Sequence, residues 1–311
     1  MNATLPVPGA PHARFVAVDW GTSSFRAWLM AANGTPLAET RSSDGMLHCL
    51  AAGFENVLHR HLARLGAPAG LPVVICGMAG ARQGWMEAPY LRTPTRPDAL
   101  HGGAVRVDAP GDIRILPGIA HANATCPDVM RGEETQLLGA MPPDYSGLVC
   151  MPGTHSKWVS VEAGCIEAFS TFMTGELFSV LCKHSLLEHA IEPGEPPTPA
   201  DPAFRMGLEA GMKEGLDSQL FRLRAAQLLG FEQRTQGSAR LSGLLIGSEI
   251  AAASRRYGVR DKLLLLATGP LGQLYEFALS SAGFGVTAMD ADRASQAGLA
   301  KAAMNLWGGT C

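Results

Sequence analysis

The sequence lacks most of the short signatures that announce an enzyme's chemistry. It contains no G-x-x-x-x-G-K-[ST], no G-x-G-x-x-G after an apolar run and no G-x-S-x-G, so P-loop, dinucleotide and serine-hydrolase readings lose their main supports. The nine histidines include no H-E-x-x-H, and none of the seven cysteines pair as C-x-x-C, which argues against a structural transition metal. The cysteine number is odd, and several lie in apolar runs such as Val73-Val74-Ile75-Cys76. Reduced core cysteines of a cytoplasmic protein explain this better than a disulfide framework. No uninterrupted apolar run reaches the roughly 18 residues of a spanning helix, and residues 1–14 hold no h-region for a signal peptide. Charge is also scarce, at 17% of residues with a net charge of -3 and scattered cations. Neither a nucleic acid nor a membrane is the expected partner.

What is present is a loop that occurs twice. Val16-Ala17-Val18-Asp19-Trp20-Gly21-Thr22-Ser23-Ser24-Phe25-Arg26 near the start is echoed by Val149-Cys150-Met151-Pro152-Gly153-Thr154-His155-Ser156-Lys157-Trp158 near the middle. Each copy is an apolar run, then Gly-Thr-x-Ser, a cation and an aromatic on a second apolar run. A β-hairpin tipped with glycine, hydroxyls and a cation can wrap a polyphosphate, and two on facing domains would clamp one from both sides.

With 311 residues, two domains are the natural expectation. Residues 1–14 read as a disordered extension. Strands at 15–20, 26–32 and 36–41, a helix at 54–65, strands at 71–76 and 113–116, and a helix starting within 130–138 form a first domain, 15–143. The second, 144–311, opens with the repeated hairpin. A strand at 166–173, a helix from Gly175 through Leu187, a proline-rich connector at 192–202 and helices at 203–214, 217–229 and 238–256 follow. A strand at 262–267, a helix at 273–282, a strand at 284–289 and a helix from Ala294 to about Leu306 complete it, the last free to pack back on the first domain. The pattern predicts an α/β architecture of two similar domains with an interdomain cleft.

Several residues are candidates for chemistry. Asp19 lies at the end of a buried strand, just ahead of the glycine turn, and can hold Mg²⁺ or its waters, or merely cap a tight hairpin. Gly21, Thr22 and Ser23 offer phosphate donors, as do Gly153, Thr154, His155 and Ser156. Lys157 or His155 can neutralise a transferring phosphoryl group, or lie in a solvated turn. Pro152 stands where a second acid would otherwise be expected, which disfavours metal ligation from that half. Glu133 and Glu134 open a helix about 100° apart, so at most one faces a ligand; such a carboxylate is either a proton acceptor or an ordinary first-turn acid. Arg131 can pair with a substrate anion or with those acids. Arg82, Gln83 and Trp85 follow a strand and a glycine-rich turn, as substrate contacts or as loop surface and packing. Glu176 follows Thr174-Gly175 at a helix start, and Gly269 in Thr268-Gly269-Pro270 can let the backbone approach an adenine ring.

These blocks resemble those of the sugar kinase, actin and heat-shock ATPase superfamily, whose members share a duplicated ribonuclease-H-like (actin-like ATPase) domain. Asp19-Trp20-Gly21-Thr22-Ser23 is similar to its first phosphate motif, Pro152–Lys157 to its second, and Thr268-Gly269-Pro270 to its adenosine motif. More narrowly the chain resembles the 2-dehydro-3-deoxygalactonokinase family through Gly77-Met78-Ala79-Gly80, Gly84-Trp85, Ala88-Pro89-Tyr90-Leu91 and Leu116-Pro117-Gly118. The long, unusual Met130-Arg131-Gly132-Glu133-Glu134-Thr135-Gln136 block, Met173-Thr174-Gly175-Glu176 and Leu241–Gly247 extend it. The resemblance implies transfer of the γ-phosphoryl of ATP, with Mg²⁺, to the 6-hydroxyl of 2-dehydro-3-deoxy-D-galactonate, with Arg82 or Arg131 on the sugar-acid carboxylate. A likeness to exopolyphosphatases at Asp19–Phe25 and Gly132–Glu134 favours Glu134 as base. It also leaves a rival: a phosphohydrolase of polyphosphate or guanosine polyphosphates. A nucleotide-gated clamp without catalysis is a third reading. Nothing in the residues fixes oligomeric state, and a homodimer stays open.

Overall fold

β1 (Ala13–Trp20) is apolar on both faces because both are covered: Val16, Ala17 and Val18 are fully buried. The computed structural model describes residues 12–192 and 194–308. Most of the extension expected over 1–14 lies outside them, and Ala13 and Arg14 already belong to β1. The chain divides into two units, Met1–Pro142 with Asp292–Cys311, and Pro143–Ala291.

In the first unit β1, β2 (Phe25–Ala31) and β3 (Pro36–Ser42) form an antiparallel meander. Two helices, α1 (Met46–Ala52) and α2 (Phe54–Arg64), lead to β4 (Val73–Gly77), which pairs parallel to β1. After β5 (Tyr90–Arg92) and β6 (Val105–Arg106), β7 (Ile113–Ile115) joins parallel to β4, giving the order β3-β2-β1-β4-β7-β6. β8 (Gly118–His121) and β9 (Asp128–Met130) complete a small sheet with β5. α3 (Glu133–Ala140) follows. The helix expected to start within 130–138 thus begins only at 133: Met130 closes β9, and Gly132, at φ +107°, makes the break that side-chain-bearing residues resist.

The second unit repeats the plan. β10 (Gly147–Met151), β11 (Ser156–Glu162) and β12 (Cys165–Phe172) are antiparallel; β13 (Leu263–Leu266) and β14 (Val286–Met289) continue in parallel, in the order β12-β11-β10-β13-β14. Between β12 and β13 lie α4 (Thr174–His184), α5 (Pro202–Lys213), α6 (Leu216–Leu228) and α7 (Arg234–Tyr257); α8 (Gly269–Ser281) precedes β14. α4 stops three residues short of Leu187, because Ser185 turns extended and its Oγ accepts from the Leu187 amide instead. α7 starts earlier than the apolar spacing implies, on a reciprocal cap between Gln233 and Gln236.

Glycines bring two helix pairs to backbone contact. A Cβ on Gly243 of α7 would lie 2.0 Å from Phe204 O on α5, and one on Gly207 of α5 would lie 2.1 Å from Arg240 O. The last helix, α9 (Ala291–Trp307), lies equally close to α3: a Cβ on Gly298 would sit 1.8 Å from Thr135 O. Lys301 Nζ donates to Leu138 O at 2.9 Å across the same contact.

Candidate functional site

In the first unit the candidate residues gather at the carboxyl ends of β1 and β4. Asp19 lies opposite Arg26 in the β1–β2 ladder and opposite Cys76 in the β1–β4 ladder. Its Oδ2 accepts from Arg26 Nη2 at 2.5 Å, and the same guanidinium donates to Asp292, which also holds Arg41 Nη1 at 2.8 Å. Burial opposes charge on Asp292, yet the hydrogen bonds and charges of Arg41 and Arg26 keep its carboxyl below the usual range.

The hairpin tip carrying Gly21, Thr22 and Ser23 is pinned from beneath. Gly21 N donates to Ser24 O at 2.8 Å, while the Met46 and Leu47 amides donate to Gly21 O and Thr22 O. A Cβ on Gly45 would come within 2.5 Å of Ser23 N, so glycine there lets α1 start directly under the tip. Thr22 and Ser23 themselves are exposed.

Glu134 is wholly buried at the first turn of α3. Its Oε2 accepts from the Gly132 amide at 2.6 Å and its Oε1 from Thr135 Oγ1 at 3.0 Å. Burial, reinforced by the neighbouring Glu133 charge, raises its pKa to about 8. Burial also pushes up the Cys76 thiol, with the charges of Asp19 and Glu134 adding to it, so the three groups share one electrostatic neighbourhood. Glu133 turns back instead and accepts from the Arg131 amide at 3.0 Å.

The arginines differ. Arg131 lies over the Tyr90 ring, 4.3 Å from its centroid, and Nη2 donates to Ala88 O at 2.8 Å. Its Nε and Nη1 are buried with no hydrogen-bond partner among the described residues. Arg82 and Gln83 are exposed. Trp85 is half-buried and stacked on Phe54 with centroids 6.0 Å apart, so it packs against the core of the first unit.

In the second unit the hairpin tip is shorter than the sequence implies. β11 begins at Ser156, so Ser156 and Lys157 are buried in the ladder instead of exposed at a turn. Ser156 Oγ meets Tyr275 OH at 3.2 Å, and Lys157 Nζ donates to His155 O at 3.3 Å. Pro152, Gly153, Thr154 and His155 form the tip. α4 starts against it: a Cβ on Gly175 would lie 2.5 Å from Gly153 O, and the Glu176 amide donates to Thr154 O at 3.0 Å. His155 Nε2 and Glu176 Oε2 are 2.5 Å apart, both half-exposed. Gly269 opens α8 at φ +60°.

A cavity of about 470 Å³ joins these pieces. Gly153, Thr154, Thr174 and Gly175 meet Pro270 and Leu271 of α8, Ser238 and Ser242 of α7, and Pro196-Pro197 of the connector. An apolar slot with hydroxyls on one wall and a glycine-threonine turn at one end suits a purine with attached phosphates.

Sequence reading missed Glu249. This α7 carboxylate is buried and accepts from Trp158 Nε1 at 2.8 Å, Tyr275 OH at 2.6 Å and Thr174 Oγ1. Burial pushes its pKa up while those donors, with Ser156, pull it back. The signal was present: Glu249 is the one charged residue between Arg240 and Arg255.

No group of three or more His, Cys, Asp or Glu side chains able to hold a metal occurs among the described residues. A phosphate-bound Mg²⁺ needs less: one or two carboxylates with phosphate oxygens and water. Asp19, with one oxygen on Arg26 and hard oxygen donors at Thr22 and Ser23 nearby in the turn, fits that demand.

Two sheets of one strand order, each led by a glycine-turned hairpin, define the duplicated ribonuclease-H-like, actin-like ATPase class that includes sugar kinases. Within it the chain belongs to the 2-keto-3-deoxy-galactonokinase family, whose model matches residues 19–302. It is 48% identical over 298 residues to a Rhizobium meliloti (strain 1021) protein named as a probable 2-dehydro-3-deoxygalactonokinase, covering 94% of this chain and 97% of that one. The 2-dehydro-3-deoxygalactonokinase of Escherichia coli (strain K12) is 38% identical over 288 residues, 92% and 96% of the two chains. A crystal structure of a 2-dehydro-3-deoxygalactonokinase-type protein from Sinorhizobium meliloti superposes with a TM-score of 0.90 at 48% identity, covering 94% of this chain and 99% of that one.

Proposed function

We propose that this protein is a sugar-acid kinase that transfers the γ-phosphoryl of ATP to the 6-hydroxyl of 2-dehydro-3-deoxy-D-galactonate. Family membership supports the reaction class, and one observation carries the assignment of roles: Glu134 is a buried carboxylate with its pKa raised to about 8, and it acts with Asp19 on the same Cys76 thiol. A group so placed is a competent acceptor for the proton of an attacking hydroxyl.

Glu134 takes the 6-hydroxyl proton as the oxygen attacks phosphorus. Arg82, exposed and close in sequence to the turn after β4, meets the substrate carboxylate, with Gln83 and Trp85 beside it. Arg131 and Glu133 shape the same wall, Arg131 through the guanidinium edge that has no hydrogen-bond partner among the described residues. In the second unit the 470 Å³ cavity takes the adenosine, with Gly269 at its edge. Gly153, Thr154 and His155 take phosphate oxygens, as do Gly21, Thr22 and Ser23 in the first, and Glu176 orients His155. Lys157 places positive charge at the second hairpin. Ser156 acts from within the ladder, through Tyr275. Mg²⁺, when bound at Asp19 with the nucleotide phosphates, supplies neutralisation of phosphate charge. We place the reaction in the cytoplasm, where ATP is available; no described helix is long and apolar enough to cross a membrane.

The phosphohydrolase reading gains no support from the relatives, which are named as kinases. The decisive assay mixes protein, ATP, Mg²⁺ and the keto-deoxy sugar acid. ADP release that depends on the sugar acid is expected; ADP release without it, or none at all, rejects the proposal.

A further inference from the structure

Glu249 itself has no place in the phosphoryl-transfer scheme, yet it is bound to two residues that line the nucleotide cavity. One carboxylate gathers donors from three elements: Trp158 from β11, Thr174 from the start of α4 and Tyr275 from α8. Two of these, Thr174 and Tyr275, are also walls of the cavity, whereas Trp158 and Glu249 are not among its lining residues. Ser156 lies 3.2 Å from Tyr275 OH, and because that hydroxyl donates to Glu249, Ser156 is the donor to Tyr275. With Glu249 as the carboxylate, the hydrogens of the chain run toward it and it accepts from all three direct donors. Trp158 continues the strand that leaves the 153–155 tip, and Thr174-Gly175 is the segment on which that tip rests.

We propose that Glu249 is the positioning residue of the nucleotide site: as an anion it holds Thr174, Tyr275 and, through Tyr275, Ser156, and so fixes the 153–155 turn relative to the cavity. The inference rests on the reading of that cavity as the ATP site. It predicts a defect confined to the nucleotide. An amide at 249 keeps the shape but presents N–H where the carboxylate accepts, so the indole or one hydroxyl loses its acceptor. α7 itself is anchored by backbone contact with α5 at Gly243 and Gly247, independently of Glu249.

The test is titration calorimetry of ADP together with steady-state kinetics in both substrates, on the unsubstituted protein, Glu249→Gln and Tyr275→Phe. Glu249→Gln is expected to weaken ADP binding and raise the KM for ATP by about tenfold, with Tyr275→Phe moving both in the same direction by less. The KM for the sugar acid stays within about twofold, a split that general loosening of the fold does not produce. Tyr275→Phe keeps the ring and serves if Glu249→Gln does not fold. Unchanged ADP affinity in both variants, or equal losses toward both substrates, overturns the inference. ADP binding that weakens as expected in a protein with no sugar-dependent turnover upholds Glu249 and sinks the kinase reading. Failure of the unsubstituted protein to bind ADP sinks both.

Discussion

Asp19 and Arg26 face each other across the β1–β2 ladder and close an ion pair at 2.5 Å. Arg26 is also bound to Asp292, so one guanidinium joins the first strand to the last helix. Arg26→Ala leaves the partly buried Asp19 without its cation and Asp292 with Arg41 alone. The expected loss is about 1–3 kcal/mol, between the values for exposed and buried pairs, read by urea unfolding. A loss under a few tenths would show the bridge to be idle.

Asp19→Asn keeps the shape of that pair but removes the charge proposed to bind Mg²⁺. The Mg²⁺ concentration for half-maximal rate should rise, and kcat should fall on the order of a hundredfold. A Mg²⁺ titration that superposes on the unsubstituted curve removes Asp19 from the metal site.

Glu134→Gln should lower kcat by a factor on the order of 10² to 10⁴ while calorimetric ADP affinity holds. Near-normal turnover would end its role as base.

The position of Glu134 also sets two opposite pH trends. A base must be ionised, so kcat/KM should climb as pH passes upward through about 8. Stability moves the other way. The folded state holds the proton more tightly than the unfolded chain, whose glutamate titrates near 4.5. The stabilisation is complete below that value and is lost as pH rises through about 8. Unfolding curves for Glu134→Gln should lack that slope; an identical slope in both proteins assigns it elsewhere.

Gly243→Ala places a methyl 2.0 Å from Phe204 O and forces α7 off α5. A loss of about 3 kcal/mol by denaturant unfolding is expected. Full stability would mean the helices separate freely.

The alternation of strands and helices was legible because apolar periodicity is local, and the two hairpins were legible because their turns carry glycine and hydroxyls. The strand order was not, since nothing in Val73–Gly77 names β1 as its neighbour. At the site, Arg82 and Arg131 look alike in sequence. Only the fold separates an exposed cation from one stacked on Tyr90, and that requires β5 and β9 to flank β8 in one sheet. Ser156 and Lys157 were read as tip residues because Gly-Thr-His-Ser-Lys is polar throughout. The ladder pairs Ser156 with Phe172 and Lys157 with Thr171, and those long-range partners bury them. Glu249 escaped for the converse reason: a single acid in an apolar helix gives no hint of which three donors will find it.

The membership of α9 in the first unit imposes an order on biosynthesis. Residues 143–291 are contiguous and can fold as they leave the ribosome, but α3 lacks its glycine-packed neighbour until Gly298 has been translated, on the order of ten seconds later. Glu134, the proposed base, therefore waits, half-assembled, until α9 has been made. A fragment ending at Pro142 would emerge with the Thr135 face of α3 bare and prone to stick to other nascent chains.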